Sequence, residues 1–471
     1  MATHEHWDTD TGLQLLSSAG IDRLPDGWTV RQLGSMLAAE RGVAVGVMYP
    51  GEHTQDGIPL IRAGELTGSV INDRPEYLIS PEVHDEYRRT ALEGGELLIT
   101  LVGDVGLCAV VPDSMRGWNA ARALAVVRLA NPSDAAFVRL CLISPPIRHL
   151  MRVWCNTTVQ ATLNLKDLRL LPIPWPPAGD RAAMVRVLRS LDDKIEQNRR
   201  TGAKLEGLAR GVFKAWFVDF EPVKAKAAGA TAFPGMPPET FAALPARFED
   251  SELGPVPEGW EVKTAGELAS FILGGDWGKD TPTEETPDPA HCIRGADIPD
   301  LWANGLGKMP VRYLKRGSLQ KRSLRAGDIA VEISGGSPTQ STGRPVLVTD
   351  ALLAELPHPL VCSNFCRIFR PKQHHTNFTY FLFRWMYDAE QFLQYENGTT
   401  GIKNFAFTKF CEVHQVVMPH ESLLASFDVW IEPLMRAMAH TGSESRRLAT
   451  LRDYLLPRLL SGRVRVRGEI T

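Results

Sequence analysis

The fold class that the sequence predicts is α+β: two globular domains with small curved sheets, separated by two long helices packed as an antiparallel coiled coil, with a pseudo-twofold internal repeat. Three observations predict it. Short motifs recur in the same order at a nearly constant offset along the 471 residues. Each half has the same inner order of strand-like and helical runs. Each half also closes on a heptad-spaced apolar stripe.

The repeat comes first. Leu24-Pro25-Asp26-Gly27-Trp28 returns as Val256-Pro257-Glu258-Gly259-Trp260, an offset of 232. Thr157-Thr158-Val159-Gln160-Ala161-Thr162-Leu163-Asn164-Leu165 is matched by Thr399-Thr400-Gly401-Ile402-Lys403-Asn404-Phe405-Ala406-Phe407, an offset of 242. Both copies then run into Pro-bounded apolar residues, Leu171-Pro172-Ile173-Pro174 and Val416-Val417-Met418-Pro419. A period this long is a duplicated domain pair, not a solenoid.

Within each half, Gly- and Pro-rich sequence separates short apolar runs that read as strands. Examples are Glu96 to Val102, Ala125 to Leu129 and Asp328 to Ile333. Helical patterns follow, from Ala135 to Trp154 and from Phe378 to Tyr395.

The long helices read from their spacing. Met184, Leu188, Leu191, Ile195, Asn198, Gly202, Leu205, Ala209, Val212 and Trp216 alternate by four and three. The second seam is Leu424, Phe427, Ile431, Leu434, Met438, Thr441, Ser445, Leu448, Arg452, Leu455 and Leu459. Heptad spacing makes an apolar stripe along one helix face, and polar seam residues such as Asn198 set register. Pro433 fits badly in mid-helix and is expected to mark a kink or a later start. At 1.5 Å per residue, a helix of about 35 residues spans about 50 Å, which is long enough for a ruler.

Composition excludes several classes. The chain is 44% hydrophobic and 23% charged, so it is neither disordered nor a disulfide framework. No apolar stretch is long enough to span a membrane. Seven cysteines without framework spacing fit free thiols in a cytoplasmic protein. A net charge of −3 excludes nucleic-acid binding by bulk charge but not by local patches. Residues 1–180 carry 15 Lys/Arg against 21 Asp/Glu, a net charge of −6. From Leu301 to Gly327 there are seven basic residues, Lys308, Arg312, Lys315, Arg316, Lys321, Arg322 and Arg325, and no acid. That run is either a solvated face or a phosphate-contacting one.

Catalytic motifs are missing. There is no phosphate loop, no dinucleotide fingerprint, no His-Glu-x-x-His and no nucleophile elbow. The tetrapeptide typical of DNA amino-methyltransferases is also absent. His358, Cys362 and Cys366, with His374 and His375 nearby, form the best metal candidate, but Leu360 to Phe369 reads as a buried strand. Asp328 and Glu332 lack the lysine of a nuclease metal site and read as strand residues. No metal site is expected.

Binding features are richer. Ser334 to Arg344 is a Gly-rich polar loop holding Thr339, Gln340, Ser341, Thr342 and Arg344. Its backbone N–H groups and hydroxyls suit phosphates, and Gln and Arg suit base edges. The same segment also reads as an ordinary long hairpin loop. The duplicated polar loops offer Asn156, Thr157, Thr158 and Gln160 in one half, and Thr399, Thr400, Lys403 and Asn404 in the other. Arg62, the polar-aromatic cluster of Arg116, Trp118, Asn119 and Arg122, and Lys315, Arg316, Lys321 and Arg322 complete the DNA-binding candidates.

Three segments carry a family resemblance: Trp216 to Lys226, Phe248 to Trp260, and Ile58-Pro59-Leu60-Ile61-Arg62. With the order domain–helix–domain–helix, the chain resembles the specificity subunit of Type I restriction–modification enzymes over about residues 20–465. The resemblance implies an N-terminal extension (1–20), a first target-recognition domain (21–178) and a first coiled-coil helix (179–218). A linker (219–255), a second recognition domain (256–420), a second helix (421–465) and a tail (466–471) would follow. Each recognition domain would read one half of a bipartite site in double-stranded DNA, and the helices would set the gap. The implied partners are two modification subunits using S-adenosylmethionine and motor–nuclease subunits using ATP and Mg. This chain itself would carry no cofactor and no catalytic residue. The alternatives from other classes are a scaffold that reads no sequence, and a fused DNA methyltransferase or nuclease with unrecognised motifs.

Overall fold

The computed structural model describes residues 7–38, 42–67, 70–155, 161–335, 340–399 and 402–466. The chain forms two compact units, residues 1–194 with 447–471, and residues 195–446. The boundary falls inside both long helices, Ala178–Phe217 and Glu421–Leu460.

The first unit is organised by a four-stranded antiparallel sheet in the order Val43–Val45, Leu124–Val127, Leu97–Thr100, Cys108–Val110. Its central strands are buried on both faces because their side chains alternate between two cores. Leu97, Ile99, Ala125 and Val127 face one core. Leu98, Leu124 and Val126 face the other. Ile58–Ile61 pairs antiparallel with Leu78–Ile79 and parallel with Asn119–Ala120. Thr29–Gln32 and Pro172–Trp175 form a separate antiparallel pair. The segment expected as an extension contains a helix, Thr9–Ser18, capped by the Asp8 carboxylate and seated through Leu16 in the first core.

The second unit repeats this plan. Its sheet runs Ala269–Gly274, Cys366–Pro371, Ile329–Glu332, Pro345–Leu347. Asp288–Ile293 pairs antiparallel with Val311–Leu314 and parallel with Leu360–Cys362. Glu261–Thr264 pairs with Gln415–Met418. Strand order and direction therefore match the first unit element by element. A buried carboxylate is duplicated as well. Glu96, just before the central strand, pairs with Arg128 at 3.4 Å, and Asp328 occupies the same place against Arg370 at 2.6 Å. The second unit also holds a three-stranded sheet, Ser334–Gly335, Ile402–Phe405, Glu396–Thr399.

Residues 219–255, expected as a partly flexible linker, are folded. They hold helices Glu221–Ala227 and Pro238–Ala243 and the hairpin Phe248–Ser251/Gly254–Pro257. The physical reason is apolar content: Val223, Met236, Phe241 and Leu244 are buried in the aromatic core of the second unit.

Within each unit the long helices pack on each other. In the first, Met184 and Leu188 share a core with Leu456, Leu459 and Leu460; Leu191 and Leu455 flank it half-buried. Arg452 reaches Asp192 at 2.9 Å there, while Leu448 is half-buried. In the second, Asn198, buried at 3% exposure, donates to Glu444 at 2.7 Å. Phe213, Trp216 and Phe217 surround Phe427 at ring separations of 6.0, 6.0 and 5.0 Å. Rising numbers on one helix meet falling numbers on the other, so the packing there is antiparallel. Ile431 and Met438 are buried, and Ile195, Leu205 and Val212 are half-buried.

The later start expected at Pro433 is corrected: the second helix runs through it from Glu421 to Leu460. Pro433 is exposed while Ile431 and Leu434 pack inward, so the ring and the one missing N–H bond lie away from the core.

Phe427 is the hub of the aromatic packing. Phe427→Ala should cost about 3–5 kcal/mol in urea unfolding. Val429→Ala, at a position 74% exposed on the same helix, should change stability by less than about 0.5 kcal/mol. Equal effects of the two would show that the aromatic cluster does not hold the helix.

Candidate nucleic-acid interface

In the second unit the two polar loops picked out by sequence meet. Ser334 pairs with Asn404 and Gly335 with Lys403 in one small sheet. Glu396 ties them further. Its carboxylate accepts from the backbone N and the hydroxyl of Thr342, and pairs with Lys403 at 3.4 Å. Lys403 also donates to the Gln340 carbonyl at 3.3 Å. The first unit has the same pairing in smaller form, with Val102 bridged to Thr162. Thr162 and Asn404, which follow the polar residues of the duplicated loop, therefore lie beside the end of the central strand in their respective units.

The candidates divide by accessibility. Asn404 is exposed, and Gln340, Ser341 and Lys403 are partly exposed. Thr342 is fully buried on Glu396. Arg344, 7% exposed, makes a two-bonded ion pair with the buried Glu332, at 2.7 Å from Nε and 2.6 Å from Nη2. The expectation that Thr342 and Arg344 contact DNA directly is thereby corrected. Their polar groups are committed to carboxylates whose burial demands partners. Thr339 and Thr400 lie outside the described residues. Thr399 belongs to strand Glu396–Thr399, and its side chain is outside the description.

The basic run is less basic than its sequence. Acids earlier in the chain offset it. Lys315 pairs with Glu285 at 2.9 Å and Arg316 with Asp288 at 3.6 Å. Arg312 is buried, pairs with Asp280 and stacks on Trp277 at 4.2 Å. Arg322 donates to the Gly274 carbonyl and to Ser318, which bonds Asp276. Lys308, Lys321 and Arg325 are exposed.

In the first unit, Arg62 is 45% exposed and lies near Glu76 at 3.3 Å and over Tyr77. Arg116 is exposed beside Asp113 at 3.6 Å, and Arg122 is exposed. Asn119 is corrected: it is fully buried on a strand, with its Oδ1 against His84 Nδ1 at 2.6 Å, and cannot reach a base. Asn156, Thr157, Thr158 and Gln160 lie outside the described residues.

Sequence reading missed one duplicated feature. Arg62 and Arg294 end equivalent strands, and each backbone N–H bonds a carboxylate three residues on, Glu65 or Asp297. The signal was present as Ile61-Arg62-Ala63-Gly64-Glu65 against Ile293-Arg294-Gly295-Ala296-Asp297, at the offset of 232. Burial pushes the Asp297 carboxyl up, but Arg294 and the backbone N–H groups of Arg294 and Lys308 outweigh it. The net result is a pKa below the ordinary value.

The chemistry of other groups is blunted. Asp328 and Glu332 are each neutralised by an arginine, which leaves no open carboxylate pair for a metal. Burial pushes the Cys366 thiol up to about 12 and Cys362 well above its usual value, so both stay protonated at neutral pH. Among the described residues no group of three or more His, Cys, Asp or Glu could hold a metal ion. Among them, too, no helix is long and apolar enough to cross a membrane.

The chain is a duplicated scaffold that carries unlike polar loops beside paired helices. Comparison with known proteins places it further. No family model matches the chain. It is 26% identical over 202 residues to the Type I restriction enzyme EcoBI specificity subunit of Escherichia coli, which covers 41% of this chain and 42% of that protein. Against the HindI specificity subunit of Haemophilus influenzae the identity is 23% over 340 residues, 62% of this chain and 69% of that one. Against the MjaIX specificity subunit of Methanocaldococcus jannaschii it is 21% over 471 residues, 98% of each. The fold matches the crystal structure of the Type I restriction–modification S subunit from M. genitalium at a TM-score of 0.50 and 14% identity, covering 93% of this chain and 97% of that one. The chain is thus similar to specificity subunits of Type I restriction enzymes, along almost its whole length in the MjaIX case.

The Asp297 geometry has a pH consequence. A depressed folded pKa contributes stability that is present above the unfolded value, near 3.9, and lost as pH falls through the folded one. The stability gap between the wild type and Asp297→Asn should therefore be full at pH 7 and shrink below pH about 4. Urea unfolding at both pH values checks it; a gap that does not change with pH would exclude this role.

Proposed function

We propose that this chain is the DNA sequence-recognition subunit of a Type I restriction–modification complex. Each unit reads one half of a bipartite site in double-stranded DNA, and the paired helices set the gap. Modification subunits using S-adenosylmethionine methylate the site. Motor–nuclease subunits using ATP and Mg restrict DNA that lacks the mark. The chain supplies neither cofactor nor catalytic group, and the complex works in the cytoplasm.

One observation carries this reading: two units share strand order, direction and buried ion pairs yet differ in the loops at the same end of the sheet. In the first, Thr100 to Leu107 closes a short turn; in the second, the matching connection runs from Glu332 to Arg344. A common scaffold with different loops is what reading two different half-sites requires.

Methylome sequencing of cells expressing the chain with its neighbouring methyltransferase subunit is the direct test. A bipartite motif should appear, and should vanish when the chain is deleted. A motif that persists without it rules out the specificity role. Charge sets a second expectation. Lys321→Ala with Arg325→Ala, both exposed, should weaken binding about equally on all sequences and flatten the salt dependence by about 0.9 per lost phosphate contact. A loss confined to one sequence would make them base contacts instead.

A further inference from the structure

The loop that distinguishes the second unit is anchored in an unusual way. Glu332, 1% exposed, ends the central strand. Arg344 faces it across the hairpin, where the Glu332 N–H donates to the Arg344 carbonyl at 3.0 Å. The guanidinium holds the carboxylate through two further bonds. A Cβ on Gly295 would come within 2.2 Å of Glu332 Oε1, and one on Gly335 within 2.9 Å, so the carboxylate sits in a cradle that only glycine leaves open.

In the first unit the equivalent of Glu332 is Thr100. Its hydroxyl accepts from the Leu107 N–H at 2.9 Å and donates to the Asp104 carbonyl. A hydroxyl therefore suffices to close this hairpin. A buried ion pair is not a superior fastener either, because desolvation cancels much of its attraction. Its additional effect is directional. The rest of the guanidinium meets the amide of Gln340. With the amide oxygen turned to Arg344, Oε1 accepts from Nη1 at 2.8 Å and from Nε at 3.1 Å. The opposite orientation would set N–H against N–H, so the oxygen faces the guanidinium.

We propose that Gln340 reads a base in the second half-site, and that Arg344 and Glu332 are positioning residues that make it read as a donor only. This rests on the DNA-recognition function proposed above. The amide oxygen is thereby turned onto Arg344 Nη1, since the single Nε–H is already committed to Glu332 at 2.7 Å. A glutamine whose oxygen is turned onto the guanidinium does not present oxygen and amino group side by side to the N6–H and N7 of adenine, the usual paired contact. It retains Nε2–H2, the end of the amide that Arg344 does not engage. The major-groove edge that presents two adjacent acceptors, N7 and O6, is guanine. The assignment is therefore to guanine over adenine at one base pair.

The test uses the chain assembled with its methyltransferase subunit, bound to duplexes that vary every position of the motif. The wild type should prefer guanine to adenine at one base pair of the second half-site by about 10–100-fold, a paired base contact being worth about 1–3 kcal/mol. Replacing that guanine by 7-deazaguanine should reduce binding. Gln340→Ala should level that base pair alone and leave the other half-site unchanged. Arg344→Lys keeps a cation on Glu332 but loses the planar fork. The freed amide should then accept adenine, and the guanine-to-adenine ratio should fall toward one with thermal stability retained. If Gln340→Ala weakens all sequences equally, or levels a base pair whose preferred base is adenine, the proposal is overturned. A preference untouched by both variants also overturns it while the recognition function stands. A wild-type complex with no base preference anywhere sinks the recognition function itself, and the proposal with it.

Discussion

The two-sided burial of one short strand is the constraint on which the rest depends. Leu97–Thr100 in one unit and Ile329–Glu332 in the other are buried at every residue. A strand in that position must divide its side chains between two cores, so sheet order and register are fixed on both faces at once. A slip of one residue would exchange the two sets. The carboxylates just before these strands, Glu96 and Asp328, are held by arginines at the far end of the neighbouring strand, Arg128 just after it and Arg370 among its last residues. Each such pair ties the start of one strand to the end of the next and penalises other registers, since an unpaired buried charge is costly.

With the register fixed, variation concentrates where the central strand leaves the sheet. The first unit turns back within a few residues under the Thr100 hydroxyl. The second carries its chain through a longer loop, pinned by Glu332 inside and by Glu396 beneath. Both anchors use a buried or partly buried carboxylate to orient donors. A neutral polar loop is more precisely placed by such anchors than by its own short-range bonds, which is what discrimination between similar base edges asks for.

Much of this was legible in the sequence, for physical reasons. The duplication was visible because turn and loop residues are constrained by backbone geometry, and those constraints repeat with the fold. The seams were visible because helix packing imposes a period; Leu188, Asn198, Ile431 and Met438 are all buried. Pro433 misled because proline's cost was judged without knowing which face it occupied. Asn119 and Arg344 misled for a related reason. Polar residues in loop-like sequence are expected at the surface, and only the folded chain brings His84 to one and Glu332 to the other. The helices and hairpin of 219–255 were hidden because their apolar residues find their partners far along the chain, in the core that includes Trp260 and Phe427.

The basic run shows how charge and specificity separate. Read in a window, residues 301–327 form a cationic strip. In the folded unit Lys315 and Arg316 already face Glu285 and Asp288. A phosphate would have to replace an existing carboxylate. Since exposed pairs are worth only about 0–1 kcal/mol, that exchange is nearly neutral in energy. The same acids also lower the local potential that would otherwise hold any DNA, whatever its sequence. A recognition protein with net charge −3 therefore gains little from indiscriminate attraction. Under the proposed function, discrimination would come from a few fixed, neutral hydrogen-bonding groups, and the Gln340 amide held on Arg344 is a group of that kind.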